Sequence, residues 1–173
     1  MRGLILFRHA KAAARTGGEA DRDRPLTAGG AHDAARMGAW LAEEGLAPSL
    51  ALVSPARRTR ETWQAASAAF PGARMQLVES LYDAGPAQID AAVSRFGDGE
   101  DRVLVVGHNP GLPVYAVELM RAASAPPSAI ERLGQRFATA SAAVFAFDAA
   151  DRPQFEGVYE PESLPPLVGA ARR

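Results

Sequence analysis

The chain has 173 residues, 47% of them apolar and 23% charged, with a net charge of −1, which fits a soluble globular protein built as one domain over residues 1–173. Near-neutral charge argues against a chain-wide nucleic-acid footprint, and the lack of cysteine excludes disulfides, thiolate metal sites and cysteine nucleophiles. No apolar run is long enough to span a bilayer and no targeting pattern stands at the start, so a cytoplasmic protein with no membrane partner is expected.

In chain order, Leu4-Ile5-Leu6-Phe7 predicts a strand buried on both faces, and it stops abruptly on Arg8-His9. Arg24-Pro25-Leu26-Thr27 leads toward a helix over 31–44 with Ala34, Met37, Gly38 and Leu41 on one face. Leu50 to Val53 predicts a second core strand. Ser54 then reads as an N-cap and Pro55 as the first residue of a helix over 56–70. A shorter strand is expected over Met75 to Val78 and a helix over 87–96. Val103 to Val106 predicts another core strand, followed by Gly107-His108-Asn109-Pro110-Gly111 and a helix over 112–123. Residues 121–127 read as a loop, Ala142 to Phe147 as an antiparallel edge strand, and Pro161 to Pro166 as an irregular surface wrap. Alternating strands and helices imply a three-layer α/β/α sandwich around a mainly parallel sheet.

In a parallel sheet the carboxyl ends of the strands share one edge, where open α/β folds place their ligands. Arg8 and His9, then Arg57 and Arg58, then His108 all fall just past such ends. The bland alternative is that polar residues merely mark where each strand surfaces. As a cluster, arginine forks and helix N-terminal amides select phosphate-like oxyanions, and a histidine among them can be nucleophile, base or electrostatic partner. No glycine-rich loop ends in Lys-Ser/Thr, so a nucleotide P-loop is unsupported. Two histidines among arginines would repel a cation, so no metal and no other cofactor is expected.

Arg8-His9-Ala10, Ser54-Pro55-x-x-Arg58-x-x-x-Thr62 and Gly107-His108 resemble the signature of the histidine phosphatase superfamily, which has a phosphoglycerate mutase-like fold. With Lys11, Arg24-Pro25-Leu26-Thr27-x-x-Gly30 and the Gly-His-Asn-Pro turn, the chain is most similar to the small SixA-type phosphohistidine phosphatases. The resemblance covers the chain from the first strand to about Phe147. It implies that His9 is the nucleophile that takes the phosphoryl group, that Arg8 and Arg58 clamp its oxygens, and that His108 completes the pocket. Arg24 resembles an additional pocket arginine. The motif spacing selects Arg58, leaving Arg57 and Arg60 as solvated helix residues.

Many members of the superfamily place a carboxylic acid after the third strand. Asp83 is the matching candidate, alternatively a loop residue or a cap for the helix near Pro86. Lys11 could add charge at the mouth or simply be solvated. Thr139 and Ser141 could donate from the opposite rim or be ordinary strand-entry residues, and His32 reads as a surface residue.

The implied activity is a metal-independent phosphatase working through phosphohistidine on its own chain. The implied substrate is a protein phosphohistidine, with a histidine-containing phosphotransfer domain or similar phosphorylated protein as partner. A small phosphorylated substrate is the rival, handled by a phosphomonoesterase or mutase of the same superfamily. A catalytically silent phosphate-binding module is the rival from outside enzymes. The substrates differ in leaving group: imidazole departs more easily than an alkoxide and has less need of an acid.

Overall fold

Alternate residues of the inner strands divide between two cores, as the period-2 geometry of a strand requires. Leu4, Leu6, Leu50, Leu52, Val103 and Val105 face one side; Ile5, Phe7, Ala51, Val53, Leu104 and Val106 face the other. In the computed structural model, which describes residues 1–15, 17–18 and 20–165, helices cover both faces.

The strands are β1 (Gly3–Arg8), β2 (Leu50–Val53), β3 (Arg74–Leu77), β4 (Arg102–Gly107), β5 (Ala142–Phe147) and β6 (Pro153–Tyr159). They form one sheet in the order β3-β2-β4-β1-β5-β6. The first four are parallel, while β5 runs antiparallel to β1 and β6 antiparallel to β5. Helices α1 (Ala28–Glu43) and α2 (Arg57–Ala66) cover one face, contributing Met37, Trp40, Leu41, Trp63 and Ala66 to its core. Helices α3 (Pro86–Phe96), α4 (Gly111–Ala122) and α5 (Pro127–Gln135) cover the other with Ile89, Val93, Leu112, Tyr115, Met120 and Leu133. The three-layer α/β/α sandwich with a mainly parallel sheet is therefore the observed fold.

Several local expectations need correction. Strand β5 is antiparallel but internal, because β6 lies outside it. Helix α5 follows the loop that leaves α4, in a nine-residue stretch whose stripe is limited to Ala129, Ile130 and Leu133. Ser54 does not cap α2: the helix begins at Arg57 with Ala56 at its cap position, and Ser54 turns its hydroxyl elsewhere. The Pro-rich segment contains a 3₁₀ turn at Pro161–Ser163 and buries Leu164 in the core under α1; Pro166 lies outside the described residues. No helix among the described residues is long and apolar enough to cross a membrane.

Candidate active site

The carboxyl end of β1 is held from both sides. The His9 N–H donates to the Gly107 carbonyl at 3.1 Å, and the His9 carbonyl accepts from Ala140 at 3.2 Å. One residue on, the Ala10 N–H donates to Thr62 Oγ1 at 3.0 Å, and Thr62 donates to the Arg58 carbonyl at 2.6 Å. His9 Nδ1–H in turn donates to the Ala10 carbonyl at 2.8 Å. Because a carbonyl can only accept, Nδ1 carries the proton and Nε2 keeps its lone pair. Thr62 on α2 thus fixes the residue that fixes the His9 ring.

His108 follows β4 and meets His9 at 5.3 Å between ring centroids. Its Nε2 is 2.7 Å from Ser54 Oγ, and both residues are buried. The Tyr82 ring stands edge-on to His108 at 5.7 Å. Burial lowers the His9 pKa to about 4, aided by the charges of Arg58, Arg8 and Arg24 and opposed by the bond to Ala10. Burial also lowers His108, to about 3, with Arg58 adding to the effect and Asp21 opposing it. Both rings are therefore neutral at physiological pH.

Three of the sequence-predicted arginines converge here. Arg8 donates through Nη1 to the Phe137 carbonyl at 2.6 Å, which also accepts from Asn109 Nδ2 at 3.2 Å. Burial lowers the Arg8 pKa from its ordinary value, yet a guanidinium stays charged in proteins. Arg58 enters from the first turn of α2 and is 5% exposed, whereas Arg57 pairs with Glu61 at 2.6 Å on the outside and Arg60 is exposed. Arg24 donates to the Ala13 carbonyl at 2.9 Å and to Asp21 Oδ1 at 2.9 Å.

Asp21 escaped the sequence reading. Its Oδ2 lies 3.0 Å from Arg58 Nη2, its backbone carbonyl accepts from Arg58 Nη1 at 2.7 Å, and Tyr82 donates to Oδ2 at 3.4 Å. The hydrogen bond from Arg24 holds its carboxyl below the usual range, with the Arg58 charge adding to it. In Asp21-Arg22-Asp23-Arg24 alternating charge suggests a solvated turn. Only the three-residue spacing of Asp21 to Arg24 hinted at a pair.

Asp83 is exposed, with a left-handed φ of 52°. It does not cap α3, where Gln88 Oε1 accepts from the Gly85 N–H at 3.1 Å instead. Lys11 and His32 are exposed. Ser141 is fully buried at the start of β5.

Arg8 Nε and His108 Nδ1 are buried and have no hydrogen-bond partner among the described residues. Buried polar nitrogens left unpaired are costly; with three guanidinium groups around them they make a receptor for an oxyanion, beside which the His9 Nε2 lone pair is free to act as a nucleophile. A cavity of about 540 Å³ at the opposite end of the sheet, among Met1, Val93, Tyr115 and Phe147, contains no histidine or arginine and has no part in this chemistry.

Comparison with known proteins returns a match to the family model of the histidine phosphatase superfamily (branch 1) over residues 4–86. An uncharacterized protein of Mycobacterium tuberculosis is 34% identical over 138 residues, 80% of this chain and 85% of that one. Two solved structures provisionally named phosphohistidine phosphatase SixA superpose closely. The protein from Nakamurella multipartitia is 32% identical with a TM-score of 0.80, covering 92% of this chain and 96% of that one. The protein from Agrobacterium tumefaciens is 27% identical with a TM-score of 0.81, covering 92% and 98%.

Proposed function

Because the chain belongs to the histidine phosphatase superfamily, we propose that it is a metal-independent phosphatase in which His9 carries the phosphoryl group and protein phosphohistidine is the substrate. The observation that carries this reading is the His9 imidazole, neutral, fixed through Nδ1–H to Ala10 and ringed by Arg8, Arg24 and Arg58. Such an imidazole attacks phosphorus through Nε2. The bond from phosphorus to the leaving nitrogen breaks, and that imidazole departs with a proton it already carries. Water then attacks the phosphorus on His9, the bond to Nε2 breaks, and inorganic phosphate leaves as a proton passes to solvent.

In each step negative charge spreads over the equatorial oxygens, where the charges of Arg8 and Arg58 would stabilise it and a neutral His108 would donate through Nδ1–H, its Nε2 accepting from the Ser54 hydroxyl. Three guanidinium charges already in the pocket support independence from metal. The phosphohistidine assignment is supported by the likeness to the two SixA structures and by the exposed, unrestrained setting of Asp83, which suits a leaving group that needs little acid.

The test is a brief quench with phosphorus-labelled phosphohistidine peptide, in EDTA, beside a panel of phosphomonoesters. Acid-labile, base-stable label on His9, absent in His9→Ala, with faster turnover of the peptide than of any ester, is the expected result. Label on His108, dependence on a divalent ion, or preference for a sugar phosphate would each refute the corresponding part.

A further inference from the structure

We propose that Asp21 is a positioning residue of this site: one carboxylate that braces Arg58 and Arg24 against the reacting phosphoryl group. The proposal rests on the phosphatase reading and refines its machinery.

An arginine side chain is long and has several rotatable bonds, so α2 fixes only the root of Arg58. Its guanidinium is fixed by Asp21, through Nη2 to Oδ2 at 3.0 Å and Nη1 to the backbone carbonyl at 2.7 Å. The other carboxylate oxygen takes Arg24 Nη1 at 2.9 Å. Two guanidinium groups held this close would repel each other, and the anion between them removes that repulsion.

The carboxylate is itself anchored. The 3₁₀ turn Asp21–Asp23 is tied down by Arg22, which pairs with Glu79 at 2.9 Å and lies 5.6 Å above the Tyr82 ring. An exposed ion pair is worth little, and the Asp21 side chain is 41% exposed, but the Arg58 side chain is only 7% exposed. Without the Asp21 carboxylate, the buried Arg58 Nη2 loses its charged partner and only the backbone bond to Nη1 still aims the fork. A group that orients others for the transition state acts mainly on kcat.

Asp21→Asn keeps the size and removes the charge. With its fold confirmed by circular dichroism, kcat on phosphohistidine peptide should fall 10- to 100-fold while KM changes less than threefold. In an Arg58→Ala background the same change should cost several-fold less than in the wild type, because only the Arg24 share of the brace is left to lose. Nitrogen-15 NMR of the arginine side chains should show Arg58 Nη groups restricted in the wild type and averaged in Asp21→Asn. Should the asparagine variant fold poorly, Asp21→Glu, which shifts the charge by one methylene, should show the same selective loss of kcat. Unchanged kcat, or equal loss in both backgrounds, would overturn the brace. A wild type that turns over no phosphorylated compound would refute the function alone; the arginine spectra would still decide the brace, and unaltered signals in Asp21→Asn would reject it.

Discussion

His108 shows how one side chain can stand out in a sequence while its surroundings stay hidden. The turn after β4 was legible because a histidine past a core strand is uncommon, yet its bond to Ser54 joins residues far apart in sequence. Asp83 is the opposite case: its place after β3 was legible, and its left-handed, solvent-facing setting was not. That setting bears on the leaving group. A positioned acid is typically worth about 10²–10⁴-fold when an alkoxide departs. Asp83→Asn should therefore slow phosphohistidine hydrolysis less than roughly tenfold, below that range, as steady-state kinetics on the peptide would report. A larger loss would make Asp83 a working acid. Asp21 was legible at most as a partner for Arg24 three residues on, because a carboxylate between arginines has the same appearance in a solvated turn as in a pocket.

At the level of elements, the approach of α4 to the segment before α3 sets the geometry around His108. A Cβ on Gly111 would stand 1.9 Å from the Ala84 carbonyl oxygen, backbone that cannot swing aside as a side chain could. Gly111→Ala should push the 82–84 segment off α4, costing about 1–3 kcal/mol as an overpacked contact does. It should also disturb the edge-on meeting of Tyr82 with His108. Urea unfolding and kcat on the peptide check both, and unchanged values would show that the two segments move apart freely. The elements missed in the sequence share a cause. Helix α5 is short and fully buries only Leu133, with Ala129 and Ile130 partly covered, and β6 is a partly exposed edge strand containing Pro153 and Gly157, so neither has the long, sealed stripe that reveals an element. Strands β1, β2 and β4, sealed on both faces, show that stripe plainly.

For the whole molecule, the burial that keeps His9 and His108 neutral links stability to pH. Their folded pKa values, about 4 and about 3, lie below the ordinary 6.5, so below pH 6.5 protons bind the unfolded chain preferentially. Stability is complete above that pH and falls as acid is added, by roughly 1.4 kcal/mol per pH unit for each histidine, until the folded rings protonate. Asp21, with its depressed pKa, stabilises above the ordinary carboxylate range and is lost at the acid end of the same window. Melting midpoints from pH 7 to 4 should decline steeply and decline less in His108→Asn; a flat profile would contradict neutral buried rings. The sheet order has another consequence, one of timing. Strand β1, which leads directly into His9, lies between β4 and β5, with Leu4 paired to Val103 on one side and Phe145 on the other. On the ribosome β1 is thus made well before β4 and β5, the two strands it pairs with. The pocket around His9 therefore closes only after both β4 and β5 have been made.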